Sequence, residues 1–570
     1  MNPIPFTLIK RGTYCSIILI FLAFSSSAQR LDAIGKQQAF RVNGGVSLDQ
    51  IGYFSSGLAE GRRDPYNFFL SGNLNFDLYG WAVPFSFNYS NQGRVTFQQP
   101  FNQYCLTPSY KWVTGHIGYT SMNFSSYTLG GHLFSGIGVD LAPPGNLKFS
   151  AMYGRLQKAV EADTIHKDVI PAYQRMGYGF KATYGQDRNN IDFILFRAKD
   201  DAGSIAPLPA GYTLTPQENV AMGVNVTRQL FSRLIFSGEI AWSLLTRDTR
   251  AEKDSLSHGF LRSMGNSSTA MYHAYKASIA YGAKFYTLGV GYEWVEPEYK
   301  TLGAYYFTND FENITGNVQL RMLKEKLTAG VNAGVQRNNL NKDKQSTMRR
   351  WVGALNMTYA ASKKLNLTMS YSNFQSFVNV RSGFEDINQV SPYKNLDTLN
   401  YTQIASNASL GLNYRLSQSK EKMSMVMCNL SYMQSADKQG GVTQESGAKF
   451  YNVNTSYSLQ LIPKNMSVSL GFNANTNSAV NMKTFTAGPT LSVNKALMKK
   501  QLRTAGSVSW NGSYANGQST SNVLSARVSG SYAIKKAHNF NLSIVGLHRS
   551  AQRSGDMSEL TTTLGYNYNF

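Results

Sequence analysis

Long stretches of the chain alternate between apolar and polar residues. In "MSVSLGFNAN", Met466, Val468, Leu470, Phe472 and Ala474 take every second position, and Ser467, Ser469, Gly471, Asn473 and Asn475 fill the others. "VLSARVSGSYAI" sets Leu524, Ala526, Val528, Tyr532 and Ile534 against Ser525, Arg527, Ser529, Ser531 and Ala533. "LRTAGSVSWNGSY" sets Val508, Trp510 and Tyr514 against Arg503, Ser507, Ser509 and Asn511. Successive side chains of a strand point to opposite faces, so a period of two marks a strand with one apolar face. These runs are about 10–14 residues long. Soluble strands average about 5–6, whereas a tilted strand needs about 9–11 to cross a bilayer.

Extended along the chain, the pattern predicts 26 strands, with 24 to 28 compatible, from 41–53 at the start to 559–570 at the end. The second half is clean. The first half is less so, and its least regular part is 92–126, where a fourth strand is placed at 94–104 and Pro100 interrupts it. Most other prolines, among them Pro65, Pro143, Pro171, Pro297 and Pro463, fall in predicted turns, as a residue without an N–H should. Pro84, Pro216 and Pro489 fall near strand starts.

The connections divide into two kinds. Short basic turns recur as "LKEKL", "SKKLN", "SKEKM", "IPKNM", "MKKQL" and "IKKAH", contributing Lys324, Lys326, Lys363, Lys364, Lys420, Lys422, Lys464, Lys499, Lys500, Lys535 and Lys536. Between them lie longer segments rich in Asn, Ser, Gly and acids, such as 338–350 and 378–402. Short turns on one side and long loops on the other predict an all-β, antiparallel, up-and-down transmembrane β-barrel with periplasmic turns and extracellular loops. An even strand number puts both termini on the periplasmic side.

Composition agrees. Only 15% of residues are charged, against about 25% in ordinary soluble domains, and the chain carries 34 Tyr. The apolar run Tyr14–Phe24, preceded by Lys10 and Arg11 and followed by Ser26 and Ala28, is too short to span a bilayer as a helix. It reads as a secretory signal cleaved before Gln29. The expected organisation is therefore a signal peptide at 1–28, a short periplasmic segment at 29–40 and one barrel domain at 41–570. Cys105 and Cys428 would remain, and nothing in the sequence says whether they pair.

The chain ends on "LTTTLGYNYNF", with Leu564, Tyr566, Tyr568 and Phe570 on one parity. This resembles the C-terminal assembly signal of Gram-negative outer-membrane β-barrel proteins. The resemblance implies that the last strand is read by the barrel-insertion machinery and closes against the first. The Asn- and Tyr-rich, basic style, as in "SYTLGGHLF" and "FSAMYGRL", resembles barrels of the Bacteroidota. Large energised receptors of the TonB-dependent type carry an N-terminal plug of more than a hundred residues. Here strand pattern begins near residue 41, so the resemblance is to a plug-less barrel.

Charge adds one asymmetry. The net charge is +22, and no Asp or Glu occurs from Ser446 to Gly555. The basic turn residues would meet lipid phosphate or lipopolysaccharide, or else form a rim for an acidic periplasmic partner or an anionic solute. No nucleic-acid module is present. The seven histidines have no metal spacing, and no nucleophile elbow or phosphate loop occurs, so neither catalysis nor a cofactor or metal is expected. Two readings of function remain. One is a channel or partner-gated pore for hydrophilic solutes; the other is a non-enzymatic accessory subunit of an assembly, secretion or surface-display complex. A barrel this wide left open would be far larger than a porin. Loops such as 247–269 and 377–402, or a periplasmic or surface partner protein, are expected to obstruct it.

Overall fold

The structure, a computed structural model, describes residues 40–57, 63–91, 102–163, 170–209, 214–253, 265–305, 308–343, 349–373, 376–379, 401–435, 438–439, 442–443, 448–479, 482–535, 537–552 and 555–570. The expected signal at 1–28 and most of the segment 29–40 lie outside them. Phe40, assigned to that segment, is instead the first residue of the first strand.

The described strands form one closed antiparallel barrel of 26 strands. The first eight are β1 (Phe40–Ser56), β2 (Tyr66–Leu78), β3 (Trp81–Ser90), β4 (Gln103–Leu106 and Ser109–Tyr110), β5 (Val113–Asn123), β6 (Gly130–Leu141), β7 (Leu147–Gln157) and β8 (Gln174–Gln186). There follow β9 (Asn189–Asp201), β10 (Glu218–Phe231), β11 (Leu234–Thr246), β12 (Thr269–Gly282), β13 (Tyr286–Val295), β14 (Phe311–Met322), β15 (Leu327–Arg337), β16 (Arg349–Tyr359) and β17 (Leu365–Ser372 and Ser376–Asn379). The last nine are β18 (Tyr401–Gln418), β19 (Lys422–Ser435), β20 (Lys449–Leu461), β21 (Met466–Ala479), β22 (Met482–Leu497), β23 (Leu502–Ala515), β24 (Gln518–Ile534), β25 (His538–Ala551) and β26 (Met557–Asn569). A two-residue hairpin, Lys438–Gln439 with Val442–Thr443, sits in the connection after β19.

Each strand pairs with its sequence neighbours, and β26 closes on β1 from Gly45↔Asn569 to Ser56↔Ser558. The Gly44 N–H donates to the Phe570 carbonyl at 3.0 Å, and the Phe570 N–H donates to the Gly44 carbonyl at 3.0 Å. Closure leaves no sheet edge to satisfy in an apolar medium. At about 4.8 Å between strands and a tilt of about 40°, such a cylinder is about 50 Å across at the backbone.

Burial follows parity. Leu470, Phe472, Val508, Trp510, Val528 and Leu564 all stand exposed on the outer face, a belt of apolar surface far beyond what a water-soluble monomer shows. No helix among the described residues is long and apolar enough to cross a membrane; the strands carry the apolar surface instead. Aromatic residues band the outer face near the short turns. Trp81 stacks on Tyr110 at 5.0 Å, and Tyr568 lies 4.8 Å from His538 and 5.3 Å from Phe570.

Three expectations need correction. The fourth strand lies at 103–110, not 94–104; residues 92–101, including Pro100, are outside the described set. Its ladder breaks at Thr107 and Pro108, where the Thr107 N–H reaches the Pro84 carbonyl and Pro108, without an N–H, only accepts, from Gly115. Pro489 lies inside β22, and the pairing of β22 with β23 skips Gly488 and Pro489. Loop length is not segregated throughout. Residues 480–481 alone join β21 to β22, and Asn516–Gly517 alone join β23 to β24. Both of the latter have positive φ, 50° and 82°, the type I′ hairpin that Asn-Gly favours. Cys105 and Cys428 sit on β4 and β19, and both are free thiols.

Candidate functional site

The inner face of the barrel is not uniform. On β9 the outward side chains include Phe193 and Leu195, while the inward ones include Ile194, Phe196 and Ala198, each at most 4% exposed. Ala221 on β10, Ala241 and Leu245 on β11, and Ala274 on β12 are likewise inward and buried. An apolar inner wall needs a cover, because side chains facing a water-filled lumen gain nothing from being apolar.

Two loops near the long-loop end supply the cover: 124–129, between β5 and β6, and, between β13 and β14, residues 296–305 with 308–310. Leu129 and Leu302 join Met122, Phe124, Phe134, Met152, Leu156 and Phe196 in one core. Tyr127 and Tyr299 join Ala241, Leu245, Tyr272, Ala274 and Val295 in a second. Burying each such side chain stabilises by about 1.5–3 kcal/mol. Close approach depends on small residues. A Cβ on Gly179 would stand 2.7 Å from the Phe124 ring, and one on Gly303 would stand 2.4 Å from the Thr128 carbonyl oxygen.

Hydrogen bonds knit the loops together and to the wall. Leu129 and Gly303 form a parallel bridge, and the Gly130 N–H donates to the Gly303 carbonyl at 3.0 Å. Thr301 Oγ1 donates to the Thr128 carbonyl at 2.5 Å, and the Tyr299 hydroxyl to the Tyr127 carbonyl at 2.8 Å. Asn219, fully buried on β10, donates to Ser243 Oγ at 2.7 Å and accepts from the Leu302 N–H at 3.1 Å, while Ser243 Oγ donates to the Lys300 carbonyl at 2.6 Å. At the rim, Glu298 accepts from the Tyr272 hydroxyl at 2.9 Å and pairs with Arg247, and Lys300 Nζ donates to Gln217 at 3.0 Å. A cavity of about 350 Å³ opens there between Gln217, Arg247, Glu298, Lys300 and Asn309.

The loop residues' acidities record this packing. Burial pushes the Tyr127 and Tyr299 hydroxyls well above the usual tyrosine range, and at Tyr127 the Glu293 carboxylate, 2.5 Å away, adds to the shift. Burial lowers the Lys300 ammonium, with Arg175 acting in the same direction. The Tyr272 hydroxyl, and then Arg247, hold the Glu298 carboxyl below its ordinary range.

Below the loops, the same wall carries charges that are largely paired. Lys181 lies 3.1 Å from Asp192 and His116 lies 2.8 Å from Asp140, and beside the loops themselves, at the start of β8, Arg175 Nε lies 2.7 Å from Asp200. Glu239, Lys276 and Glu293 stand side by side across β11, β12 and β13. The wall half a circumference away, β20 to β26, faces the lumen with Ser456, Ser492, Ser507, Ser529, Ser543 and Thr563 and receives no loop among the described residues. No group of three or more His, Cys, Asp or Glu among the described residues is placed to hold a metal ion.

The residues singled out from sequence fall as follows. Leu564, Tyr566 and Tyr568 lie on the outer face of β26, with Tyr566 4.9 Å from Phe540, and Phe570 makes the backbone bonds to Gly44. Lys324, Lys326, Lys363, Lys364, Lys420, Lys422, Lys464, Lys499, Lys500 and Lys535 are all exposed at the short-turn end; Lys536 is outside the described residues. Glu325 and Glu421 sit among them, so the rim is not purely basic. Loops 247–269 and 377–402 were expected to obstruct the lumen. The described ends of the first bond to one another and to the rim, Ser267 N–H to Glu252 carbonyl at 2.9 Å and Thr249 N–H to Pro216 carbonyl at 2.9 Å. The interior of the second is outside the described residues. Among the described residues, the segments that reach inward are 124–129, 296–305 and 308–310. The signal for them was in "FILFRA" (193–198), where apolar residues occupy both parities.

No known family model matches the chain, and no curated protein matches it. Similar solved structures include Acinetobacter baumannii OccAB2, at 8% identity over 62% of this chain and 92% of that one with a TM-score of 0.28. They also include the translocation pore of the P pilus usher PapC, at 11% identity over 93% and 100% with a TM-score of 0.35. The copper transporter OprC aligns at 8% identity over 94% and 81%, with a TM-score of 0.38. Likeness at this level says nothing of activity.

Proposed function

We propose that the chain is an outer-membrane channel for hydrophilic solutes whose lumen is narrowed from one side by its own loops. The observation that carries this reading is the unequal inner wall. Loops 124–129 and 296–310 cover β5–β14 with apolar cores, while β20–β26 present small polar side chains to the interior. Loops alone cover one part of the circumference, which leaves a wet crescent beside them.

In this reading the short turns face the periplasm, and the exposed lysines there meet lipid headgroups or a periplasmic partner. The last strand, with Leu564, Tyr566, Tyr568 and Phe570 outward or at the seam, serves as the signal for the insertion machinery. The Asn- and Tyr-rich composition supports a source among the Bacteroidota. Planar bilayers test the channel directly. Purified protein that heat-shifts on a gel, as a closed barrel does, gives stable single-channel steps. Silence under every applied voltage refutes the reading, and a stoichiometric partner retained through mild-detergent purification then favours the accessory-subunit alternative.

A further inference from the structure

The wall opposite the loops carries three arginines on its inner face, and the strand register arranges them as a stair. Arg503 on β23 stands opposite Ser531 of β24. Arg527 belongs to β24 itself. Arg549 on β25 stands opposite Val523 of β24. Projected onto β24, the three occupy positions 531, 527 and 523. Each rung is therefore one strand over and four residues further up, about 13 Å along the strand and about 5 Å across. The stair climbs from the short-turn end toward the long-loop end.

Parity fixes where these side chains point. Residues of the opposite parity on the same strands, Val508 on β23, Val528 on β24 and Leu542 on β25, face outward and are exposed. An arginine on the lipid face at the bilayer midplane costs about 2–4 kcal/mol, so the register and the energy agree that all three face the lumen.

The second observation is that all three lack partners. None has an ion pair or hydrogen bond among the described residues, in contrast to Lys181, Arg175 and His116 on the opposite wall. Arg503 and Arg527 line a cavity of about 610 Å³ together with Asn494, Asn541, Ser531 and Thr563, and no carboxylate lines it. The inner acids nearest in the pairing are Asp49 on β1 and Glu559 on β26, and Glu559 already accepts the Tyr53 hydroxyl at 2.6 Å. Guanidinium stays charged at any working pH and presents a planar fork matched to carboxylate and phosphate oxygens. Hydroxyls and amides beside it add donors that tolerate different anions.

We propose that the inner wall of β23–β25 is a relay for small multivalent anions, carboxylates or phosphates, held in turn by Arg503, Arg527 and Arg549. At physiological salt the spacing between rungs exceeds the ~8–10 Å screening length. An anion then binds one rung at a time, and release toward the next is not held back by the whole stair. As a route the stair rests on the channel reading; as a binding site it does not.

The test uses the full barrel in detergent, with citrate and pyrophosphate as probes, titrated calorimetrically at about 0.01 M salt, where the screening length is about 30 Å. A unit charge about 6 Å away in a water-like medium contributes about threefold in affinity. Arg503→Gln, Arg527→Gln and Arg549→Gln should each weaken binding about that much, and the triple variant at least about tenfold. Arg527→Lys, which keeps the charge, should recover most of the loss at that rung, a result that general destabilisation would not give. In bilayers under a KCl gradient, the parent should prefer chloride and the triple variant should lose that preference. Failure of the parent to bind either anion, or a triple variant that binds as the parent does, overturns the proposal. Binding that the triple variant loses, without any conductance, keeps the site and removes the channel. Conductance with an unchanged anion preference keeps the channel and removes the site.

Discussion

Replacing Leu129 and Leu302 together by alanine should release the inward loops while leaving the barrel intact. Both leucines belong to loops, so no ladder bond is touched. Leu129 is fully buried and Leu302 is 2% exposed. A Leu→Ala change at such a site costs about 2–5 kcal/mol, combining lost transfer energy with the cavity left behind. The two share one core, so their costs do not add simply. Taking about 4 kcal/mol for the pair, the low end, and 1.4 kcal/mol per factor of ten, the undocked population rises by about three powers of ten. Single-channel recordings should then show larger and noisier openings than the parent. Hydrogen exchange should accelerate through 296–310 while the strands stay protected, and heat-modifiable migration should be unchanged. Val528→Ala, on the outer face, is the control and should alter none of these. Conductance and loop exchange equal to the parent's would refute the claim that these loops obstruct the lumen through apolar docking.

Other outcomes follow from the same geometry. Gly179→Val should drive a side chain into Phe124, 2.7 Å from the added Cβ, at a cost of about 1–3 kcal/mol; faster exchange over 124–129 would register it, and unchanged exchange would count against the close approach. Val528→Arg and Ser529→Arg are adjacent changes with opposite expectations. The first puts a charge in hydrocarbon at about 2–4 kcal/mol and should reduce the heat-modifiable yield, while the second faces water and should not; equal yields would contradict the assigned parity. The Glu298 carboxyl is depressed below its ordinary 4.5, first by the Tyr272 hydroxyl and then by Arg247. Its contribution to loop docking is therefore complete above pH 4.5 and fades as pH falls through the depressed value. The effect is small, because the Glu298 side chain is 64% exposed and solvent screens it; more frequent opening in acid, abolished by Glu298→Gln, would record it.

Parity made the barrel legible. A period of two sustained over runs such as 466–476 and 522–534 has few other physical explanations, and strand ends placed from it lie within a few residues of those found. The fourth strand was misplaced because Pro108 interrupts its pairing and leaves two short pieces with no usable rhythm. The cysteines could not be resolved from spacing, since β4 and β19 are separated by many strands whichever way the chain is read. The inward loops 124–129 and 296–305 were missed for a different reason. Length was taken as the mark of a loop able to fill the lumen, and 124–129 is only six residues long. What fits a loop into a barrel is complementary surface. The strands that receive these loops declare it by being apolar on both faces, as Ile194 and Phe196 do beside Phe193 and Leu195.

That double apolarity also explains why the first half of the sequence looked irregular. A strand between lipid and water alternates; a strand between lipid and a packed core does not, because both of its faces gain from burial. The loss of rhythm in β9 to β11, where Ile194, Phe196, Ala221 and Leu245 are buried on the inner face, therefore maps where the interior is dry, and the clean alternation from β20 onward maps where it is polar. The distribution of charge obeys the same division. Near the dry wall an unpaired charge would be costly, and Lys181 and Arg175 each have a carboxylate partner. On the polar wall, Arg503, Arg527 and Arg549 have no carboxylate partner among the described residues. In the proposed channel, a solute would pass between a neutralised surface and a positive one, so the proposal assigns charge preference to the second half of the chain and aperture to the first.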